Sequence, residues 1–175
     1  MCSSDLGAAE RPGVLLLQMG GPGSQEAVRP FLRRMLSDPA ILSMPAAVRI
    51  PLATMISVFR APRSRRQYAA IGGGSPIGAI TAAQADALAE ALARAGRPMP
   101  VRVGMRYTDP SIADGLAALA AKDIDQVVVL PLYPQWSKTT TGSSVAEVHR
   151  VLDRMSAPPR VLFIEDWPDE PGYVA

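Results

Sequence analysis

The sequence contains only one cysteine, Cys2, and one histidine, His149, among its 175 residues. A single cysteine excludes an internal disulfide framework, and a single histidine excludes a histidine-rich metal site. No apolar run reaches the roughly 18 residues that a membrane-spanning helix needs, and no charged segment followed by an apolar run suggests a secretion signal. We therefore expect a protein of the reducing cytoplasm.

An excess of charge of either sign is also lacking. Lysine and arginine number 18 and aspartate and glutamate 16, which leaves a net charge of +2 and no argument for a nucleic-acid partner. Hydrophobic residues make up 48% and charged residues 19%, the usual balance of a globular chain. A length of 175 residues suffices for one domain with a buried core.

Short apolar runs alternate with helical patterns along most of the chain. The runs predict parallel strands buried on both faces, at 14–19, 101–107, 127–133 and 160–164. Helices are predicted between them, at 24–36, 81–95, 111–121 and from 144 onward. This alternation predicts an α/β fold of flavodoxin or Rossmann type, with a four-stranded parallel sheet flanked by helices. Residues 1–12 lack the pattern, and we expect them to be extraneous or disordered.

The segment 126–149 carries the strongest local signal in the chain. Val127–Leu130 is a continuous apolar run, and Pro131 ends the strand because proline cannot donate to a sheet. A loop rich in serine and threonine follows, and Ser144 and Glu147 have the spacing of a capping box at a helix start. Such loops lie at the carboxyl edge of a parallel sheet, where ligands bind. The loop is either a ligand site or an ordinary connection rich in capping residues.

Pro39–Phe59 has Arg49 as its only charged residue and contains three prolines, which predict a broken helix. The segment is either buried between layers or an exposed apolar lip that contacts a membrane or an apolar ligand. Four arginines follow at once, at positions 60, 63, 65 and 66. They form either a solvated helical face or a grip for carboxylates or phosphates, because guanidinium groups bind such anions in a bidentate manner.

Two glycine-rich turns interrupt the first half of the chain. Gly20–Gly23 follows the first strand, but its spacing does not match the GxGxxG motif of dinucleotide-binding proteins. Ile71–Ile77 reads IGGGSPI, and its glycines permit positive φ and close backbone approach. Ser24 is placed to cap the first helix, and Thr81 with Gln84 has capping-box spacing for the second.

Six motifs occur in order along the chain: LLLQMGGPGS, FLRRMLSDP, RRQYAAIGGGSPI, GMRYTDPSI, LPLYPQWSKTTTGSS and EDWPDEPGY. Together they resemble the ferrochelatase family, whose members insert Fe²⁺ into protoporphyrin IX in the last step of haem synthesis. The resemblance implies a chelatase fold of two similar α/β domains with the porphyrin between them. On this basis, residues 13–175 form the amino-terminal domain and the chain stops before the second.

The resemblance also implies which residues bind the substrate. Positions that match porphyrin contacts are Met19, Arg60, Arg63, Tyr68 and Ser75. Positions that match residues around the active site or a proposed iron path are Arg106, Tyr107, Tyr133 and Trp167, and some relatives touch the porphyrin at the position of Ser144. Relatives that act on coproporphyrin often carry tyrosine at the position of Met19, so methionine favours protoporphyrin. Pro39–Phe59 matches the lips of the porphyrin pocket, which favours the exposed alternative.

The chain departs from the family pattern at two points. Lys138 stands where some relatives have a cysteine ligand of an iron–sulfur cluster, so no cofactor is expected in this chain, and Fe²⁺ is a substrate. The S-x-H-x-x-P motif with the family's catalytic histidine is absent, as is its acidic partner, and we expect His149 to be a structural residue of a helix. The resemblance therefore implies a chain that binds porphyrin but has no chelatase activity alone.

Two other functions stay open at this point. One is a non-catalytic porphyrin- or haem-binding module, and the other is a phosphate-binding, flavodoxin-like domain that uses the TTTGSS loop. The phosphate alternative gives no role to Arg60 or Tyr68. The expected location is the cytoplasm, with peripheral contact to the inner membrane through Pro39–Phe59.

Overall fold

A computed structural model describes residues 11–174 and contains one four-stranded sheet in which every strand pairing is parallel. The strands are β1 (Pro12–Gln18), β2 (Val101–Met105), β3 (Gln126–Pro131) and β4 (Arg160–Phe163). Their order across the sheet is β2-β1-β3-β4. The predicted fold class and the four predicted strands are confirmed.

The first described residues bear on the expectation for residues 1–12. Residues 1–10 lie outside the described residues. Pro12 opens β1 opposite Gln126, and the backbone N–H of Arg11 donates to Asp125 Oδ1 at 2.7 Å. The described part of the domain therefore begins two residues before the predicted boundary at Gly13.

Both faces of β1 are covered, because its side chains alternate between two helical layers. Leu15 and Leu17 pack against helices α4 (Ile112–Ala120) and α5 (Ser143–Leu152). Val14 and Leu16 face the other side, where α3 (Ile77–Arg94) contributes Ala85. A short helix, α6 (Pro171–Val174), ends the described chain.

Helices α1 (Val28–Leu36) and α2 (Ala46–Ala69) pack on each other and stand beside the carboxyl edge of the sheet. The prediction of a broken helix over Pro39–Phe59 is wrong for its second half, since α2 is one helix of 24 residues that contains Pro51 and Pro62. Both prolines are exposed, so the carbonyl groups that lose an N–H partner lie on the solvent side, where water can pair with them.

Two predicted helix starts are also wrong. Thr81 does not cap α3, because the helix already begins at Ile77 and buries Thr81 within it. Ser144 does not cap α5, because a π-helical turn, Lys138–Gly142, runs directly into that helix. Ser137 caps this turn instead, and its hydroxyl accepts from the Thr140 N–H at 3.2 Å.

The prediction that Ser24 caps α1 is also wrong, because the helix begins at Val28 and its N-cap residue, Ala27, has no side-chain cap. The Ser24 hydroxyl instead accepts from the Ala27 N–H at 3.3 Å in the turn that leads into α1. Gly96 ends the α3 region with a φ of 73°. Helix α4 carries a capping box between Ser111 and Asp114 that the sequence analysis overlooked. Within residues 11–174, no helix combines the length and the apolar character that crossing a bilayer requires.

Candidate functional site

The carboxyl ends of the parallel strands bring distant polar residues together. Met19 follows β1, Arg106 and Tyr107 follow β2, and Tyr133 follows β3. In a sheet of order 2-1-3-4, the connection after β1 runs to one side and the connection after β3 runs to the other, and the gap between β1 and β3 is where such folds bind ligands. This edge is therefore the place to look for a site.

A buried carboxylate, Asp38, is the centre of the polar contacts at this edge. Its Oδ2 accepts from Ser143 Oγ at 2.5 Å, from Arg106 Nη2 at 2.6 Å and from the Tyr107 hydroxyl at 2.8 Å. Its Oδ1 accepts from the Ala40 N–H at 2.7 Å. Asp38 is 4% exposed, so these bonds form away from bulk water, where charged hydrogen bonds are strong.

Arg106 is held on several sides. Its Nε donates to Ser143 Oγ at 2.8 Å, and its Nη1 lies 3.7 Å from Glu147 Oε2. The guanidinium carbon lies 4.9 Å from the centroid of the Tyr107 ring. Glu147 also pairs with Arg150 on the next turn of α5. The positive charge of Arg106 is thus matched by two carboxylates at the mouth of the site.

The environment shifts the pKa values of three groups. Burial raises the pKa of Asp38, but hydrogen bonds from Ser143, Ala40 and Tyr107, together with the Arg106 charge, lower it below its ordinary value. Burial raises the pKa of Tyr107 well above its ordinary value, and Asp38 raises it further. Burial raises the pKa of Tyr133 to about 12. Asp38 is therefore a carboxylate and both tyrosines are neutral at physiological pH.

A pocket of about 1090 Å³ opens beside this group. One wall is the turn between α1 and α2, with apolar contributions from Pro39, Ala40, Met44 and Pro45. The opposite wall is the π-helical turn and the start of α5. Charged side chains around the pocket are Arg34, Asp38, Arg106, Lys138, Glu147 and Arg150. A pocket lined by both apolar and charged side chains suits an amphipathic ligand.

Met19 and Tyr68 belong to an apolar cluster at the same edge. They pack against a buried group formed by Val28, Phe31, Leu32, Ala61 and Tyr107. Phe31 and Tyr107 meet edge to face, with ring centroids 6.3 Å apart. Met19 and Tyr68 are each half-buried, so both present part of their surface outward.

Arg60 and Arg63 lie on α2, exposed to solvent. The face of α2 that carries Val48, Met55 and Phe59 is also exposed, Phe59 to 77%. Positions 48, 55, 59, 63 and 66 lie within one stripe of a helix with 3.6 residues per turn. The stripe is apolar in its first half and basic in its second. It supports the exposed alternative for the second half of Pro39–Phe59.

Ser75 and Trp167 each join a loop to another segment through a hydrogen bond. The Ser75 N–H donates to the Pro22 carbonyl at 2.7 Å and its hydroxyl accepts from Ile77 N–H, which joins the two glycine-rich turns. Trp167 Nε1 donates to the Pro131 carbonyl at 2.9 Å, which ties the end of the described chain to the end of β3.

Two predicted residues carry buried hydroxyls without a hydrogen bond of normal geometry, Tyr133 and Ser144. The Thr141 hydroxyl in the π-helical turn shares this property. Buried polar groups normally find a partner, and the Thr81 hydroxyl on α3 is a fourth exception among the described residues. His149 lies elsewhere: it is exposed on α5 and its ring contacts Phe163, with centroids 5.1 Å apart.

The hydroxyl-rich turn is poorly arranged for a phosphate. The backbone N–H groups of Thr140 and Gly142 both donate to Ser137, Gly142 N to the Ser137 carbonyl at 3.0 Å. A phosphate loop needs free N–H groups that point at the anion. This geometry argues against the phosphate-binding alternative.

Asp38 and Ser143 are the two central residues that the sequence analysis did not single out. Asp38 lies inside the FLRRMLSDP motif, directly before a proline, and Asp–Pro pairs commonly begin turns. Ser143 neighbours the predicted Ser144. The Asp–Pro pair predicts a turn at Asp38. No sequence rule, however, links Asp38 with Arg106 and Ser143, which lie 68 and 105 positions away.

The fold and the site together define a flavodoxin-like α/β domain with a ligand pocket at the carboxyl edge of its sheet. The sequence model of the ferrochelatase family matches residues 11–175, so the chain belongs to the ferrochelatase family.

Curated relatives agree with this assignment. Ferrochelatases from Synechococcus sp. (strain JA-3-3Ab) and Picosynechococcus sp. are 47% identical over 171 residues and 46% identical over 172. Ferrochelatase-2, chloroplastic, from Cucumis sativus is 42% identical over 170 residues. Each comparison covers 94% of this chain, but 49%, 44% and 33% of the respective relatives. The chain thus spans half or less of the length of these relatives.

Proposed function

We propose that this chain is the porphyrin-binding part of a ferrochelatase, a lyase that inserts Fe²⁺ into protoporphyrin IX to form protohaem. The observation that carries the proposal is the stripe on α2, where exposed Met55 and Phe59 lead into the cluster of arginines. A porphyrin has the same division, with a flat apolar ring and carboxylate-bearing propionates. Met19, between this helix and the sheet, is suited to contact the ring.

We assign binding and positioning to this chain, and proton acceptance to residues outside it. Metallation removes two protons from the pyrrole nitrogens, which calls for a base with a pKa near neutrality. His149 packs against Phe163 and does not line the pocket, and both oxygens of Asp38 accept hydrogen bonds. The porphyrin surface formed by α2 and Met19 therefore has neither residue available to take its protons.

We also propose that the protein acts in the cytoplasm and touches the inner membrane at its periphery through Pro39–Phe59. Support comes from the exposure of Val48, Met55 and Phe59 on one helical face. Exposed apolar side chains followed by arginines are the pattern of a surface that meets both the acyl chains and the anionic head groups of a bilayer.

The first experiment compares two proteins in an anaerobic assay of Fe²⁺ or Zn²⁺ insertion into protoporphyrin IX. One is the chain itself; the other is a chimera in which residues 11–175 replace the matching half of the Synechococcus relative. We expect the chain to bind protoporphyrin without metallating it and the chimera to be active. Turnover by the chain well above a protein-free blank, surviving His149→Ala, would refute the division of labour. A chimera that neither binds nor metallates porphyrin would refute the proposed function.

A second experiment tests the propionate grip. Arg60→Leu should weaken protoporphyrin binding by about 5- to 150-fold, which corresponds to the roughly 1–3 kcal/mol of a hydrogen bond to a charged group. Arg94→Leu is the matched control, an exposed arginine on α3 that pairs with Glu90. Equal affinities for the Arg60 variant and the control would remove Arg60 from the site.

A further inference from the structure

We propose that Asp38 is a positioning residue of this site: it fixes the guanidinium of Arg106 and clamps the turn after α1 to the start of α5. The inference rests on the proposed function, because it assigns Asp38 a role in porphyrin metallation through Arg106. Asp38 itself makes no contact with substrate in this proposal.

Burial supports a dedicated role. Among the described residues, Asp38 is the only acidic side chain that is buried. Burying a carboxylate is costly unless hydrogen bonds and a countercharge replace its water shell. Asp38 has four such donors, from Ser143, Arg106, Tyr107 and the backbone of Ala40. With both oxygens occupied, it is not free to bind a metal ion or to carry a proton.

The side-chain partners of Asp38 come from two segments far from it in sequence. Arg106 and Tyr107 follow β2, and Ser143 is the first residue of α5. Both segments line the pocket together with the turn that carries Asp38. A single carboxylate therefore holds these three parts of the lining together.

The orientation of Arg106 follows from these bonds. Nη2 is taken by Asp38 and Nε by Ser143, so the plane of the guanidinium is fixed on two sides. Nη1 lies 3.7 Å from Glu147 Oε2, and Arg106 and Glu147 both line the pocket. Without the Asp38 charge, Arg106 would have only Glu147 to pair with and would turn towards it.

The kinetic test uses the active chimera with three variants, Asp38→Asn, Arg106→Gln and the double variant. If Asp38 acts through Arg106, each single change lowers kcat/KM for protoporphyrin by about tenfold, the scale of a misplaced positioning group, and the double variant is no worse. Asp125→Asn is the matched control, an aspartate that also accepts a backbone N–H but lies at the opposite end of the sheet. It should leave kcat/KM unchanged.

A pH titration of Tyr107 in the chain itself is independent of turnover. Asp38→Asn should let the Tyr107 hydroxyl ionise at lower pH, since the neighbouring carboxylate opposes tyrosinate formation. Ultraviolet absorbance of tyrosinate follows this change, and Tyr107→Phe identifies the signal. If Asp38→Asn does not fold, Ser143→Ala keeps the Asp38–Arg106 ion pair but removes the hydroxyl that bonds to both residues, and it should lower kcat/KM of the chimera in the same direction by a smaller factor.

The outcomes separate the two proposals. Losses that multiply in the double variant, or an Asp38→Asn chimera that melts earlier but keeps its kcat/KM, would refute the positioning role alone. A wild-type chimera without porphyrin binding and without activity would refute the proposed function and the positioning role with it.

Discussion

Helix α4 packs closely against the sheet, and Gly115 is the residue that allows this approach. A Cβ at Gly115 would lie 2.6 Å from Leu15 Cδ1 and 2.8 Å from the Val103 carbonyl oxygen, in a region where Leu15 is fully buried. The carbonyl belongs to β2, which is paired to β1 and cannot withdraw easily. Overpacking of this kind costs roughly 1–3 kcal/mol.

Gly78 provides the opposite case for the same substitution. It lies in the first turn of α3, and a Cβ there would meet nothing within 4 Å. Alanine is favoured over glycine in a helix by up to about 1 kcal/mol. Subtracting that gain from the overpacking cost, Gly115→Ala should lose up to about 2 kcal/mol of stability, while Gly78→Ala should gain up to about 1 kcal/mol.

The assay is thermal unfolding followed by circular dichroism at one fixed protein concentration. A domain of this size shifts its Tm by about 2–4 °C for each kcal/mol. We therefore expect Gly115→Ala to melt up to about 8 °C below the wild type and Gly78→Ala to melt up to about 4 °C above it. Equal shifts of the same sign in the two variants would refute the packing argument for α4.

Three further predictions follow from burial and charge. In an alkaline titration, Tyr133 should ionise only near pH 12 and Tyr107 later still, so Tyr133→Phe should remove a late phase of tyrosinate absorbance; an unchanged curve would contradict its burial. The stability that Asp38 contributes should be present above its ordinary pKa of 3.8 and fall away as the pH drops through its lower folded value, so the Tm difference between wild type and Asp38→Asn should shrink in acid. The exposed apolar side chains of α2 and β4, among them Phe59 and Leu162, should make the purified chain self-associate at micromolar concentration, which light scattering would show; a monodisperse, cooperatively melting monomer would be the contrary result.

Sequence reasoning was most successful where a pattern is local and repeated. The apolar runs of β1 and β3 predict buried strands because no polar residue interrupts them, and the parallel order follows from their alternation with helices. The starts of α3 and α5 could not be predicted in the same way. Thr81 and Ser144 have the residue types of a cap, but both are buried inside helices that begin earlier.

The site was predictable only in part. The family motifs led to Arg106 and Tyr107, which do meet at the end of β2. The resemblance did not indicate their common partner, because a hydrogen-bond network between distant segments leaves no periodic trace in the sequence. Nor could the sequence predict that α2 continues through Pro51, since this depends on which side of the helix faces solvent.

The contact between the two glycine-rich turns indicates which segment of the domain could be exchanged as one unit. The two turns lie against each other between the end of β1 and the start of α3. The Ser75 N–H donates to the Pro22 carbonyl, and a Cβ on Gly74 would lie 2.5 Å from the Gly23 carbonyl oxygen. Helices α1 and α2 are therefore a cassette inserted into the connection between β1 and α3. Exchange of residues 23–74 for the same cassette of a relative would carry the lip and its arginines across as one unit and leave the strand pairing as it is. It would also exchange Asp38, so the bonds to Arg106 and Ser143 would depend on the residue that the relative has at this position.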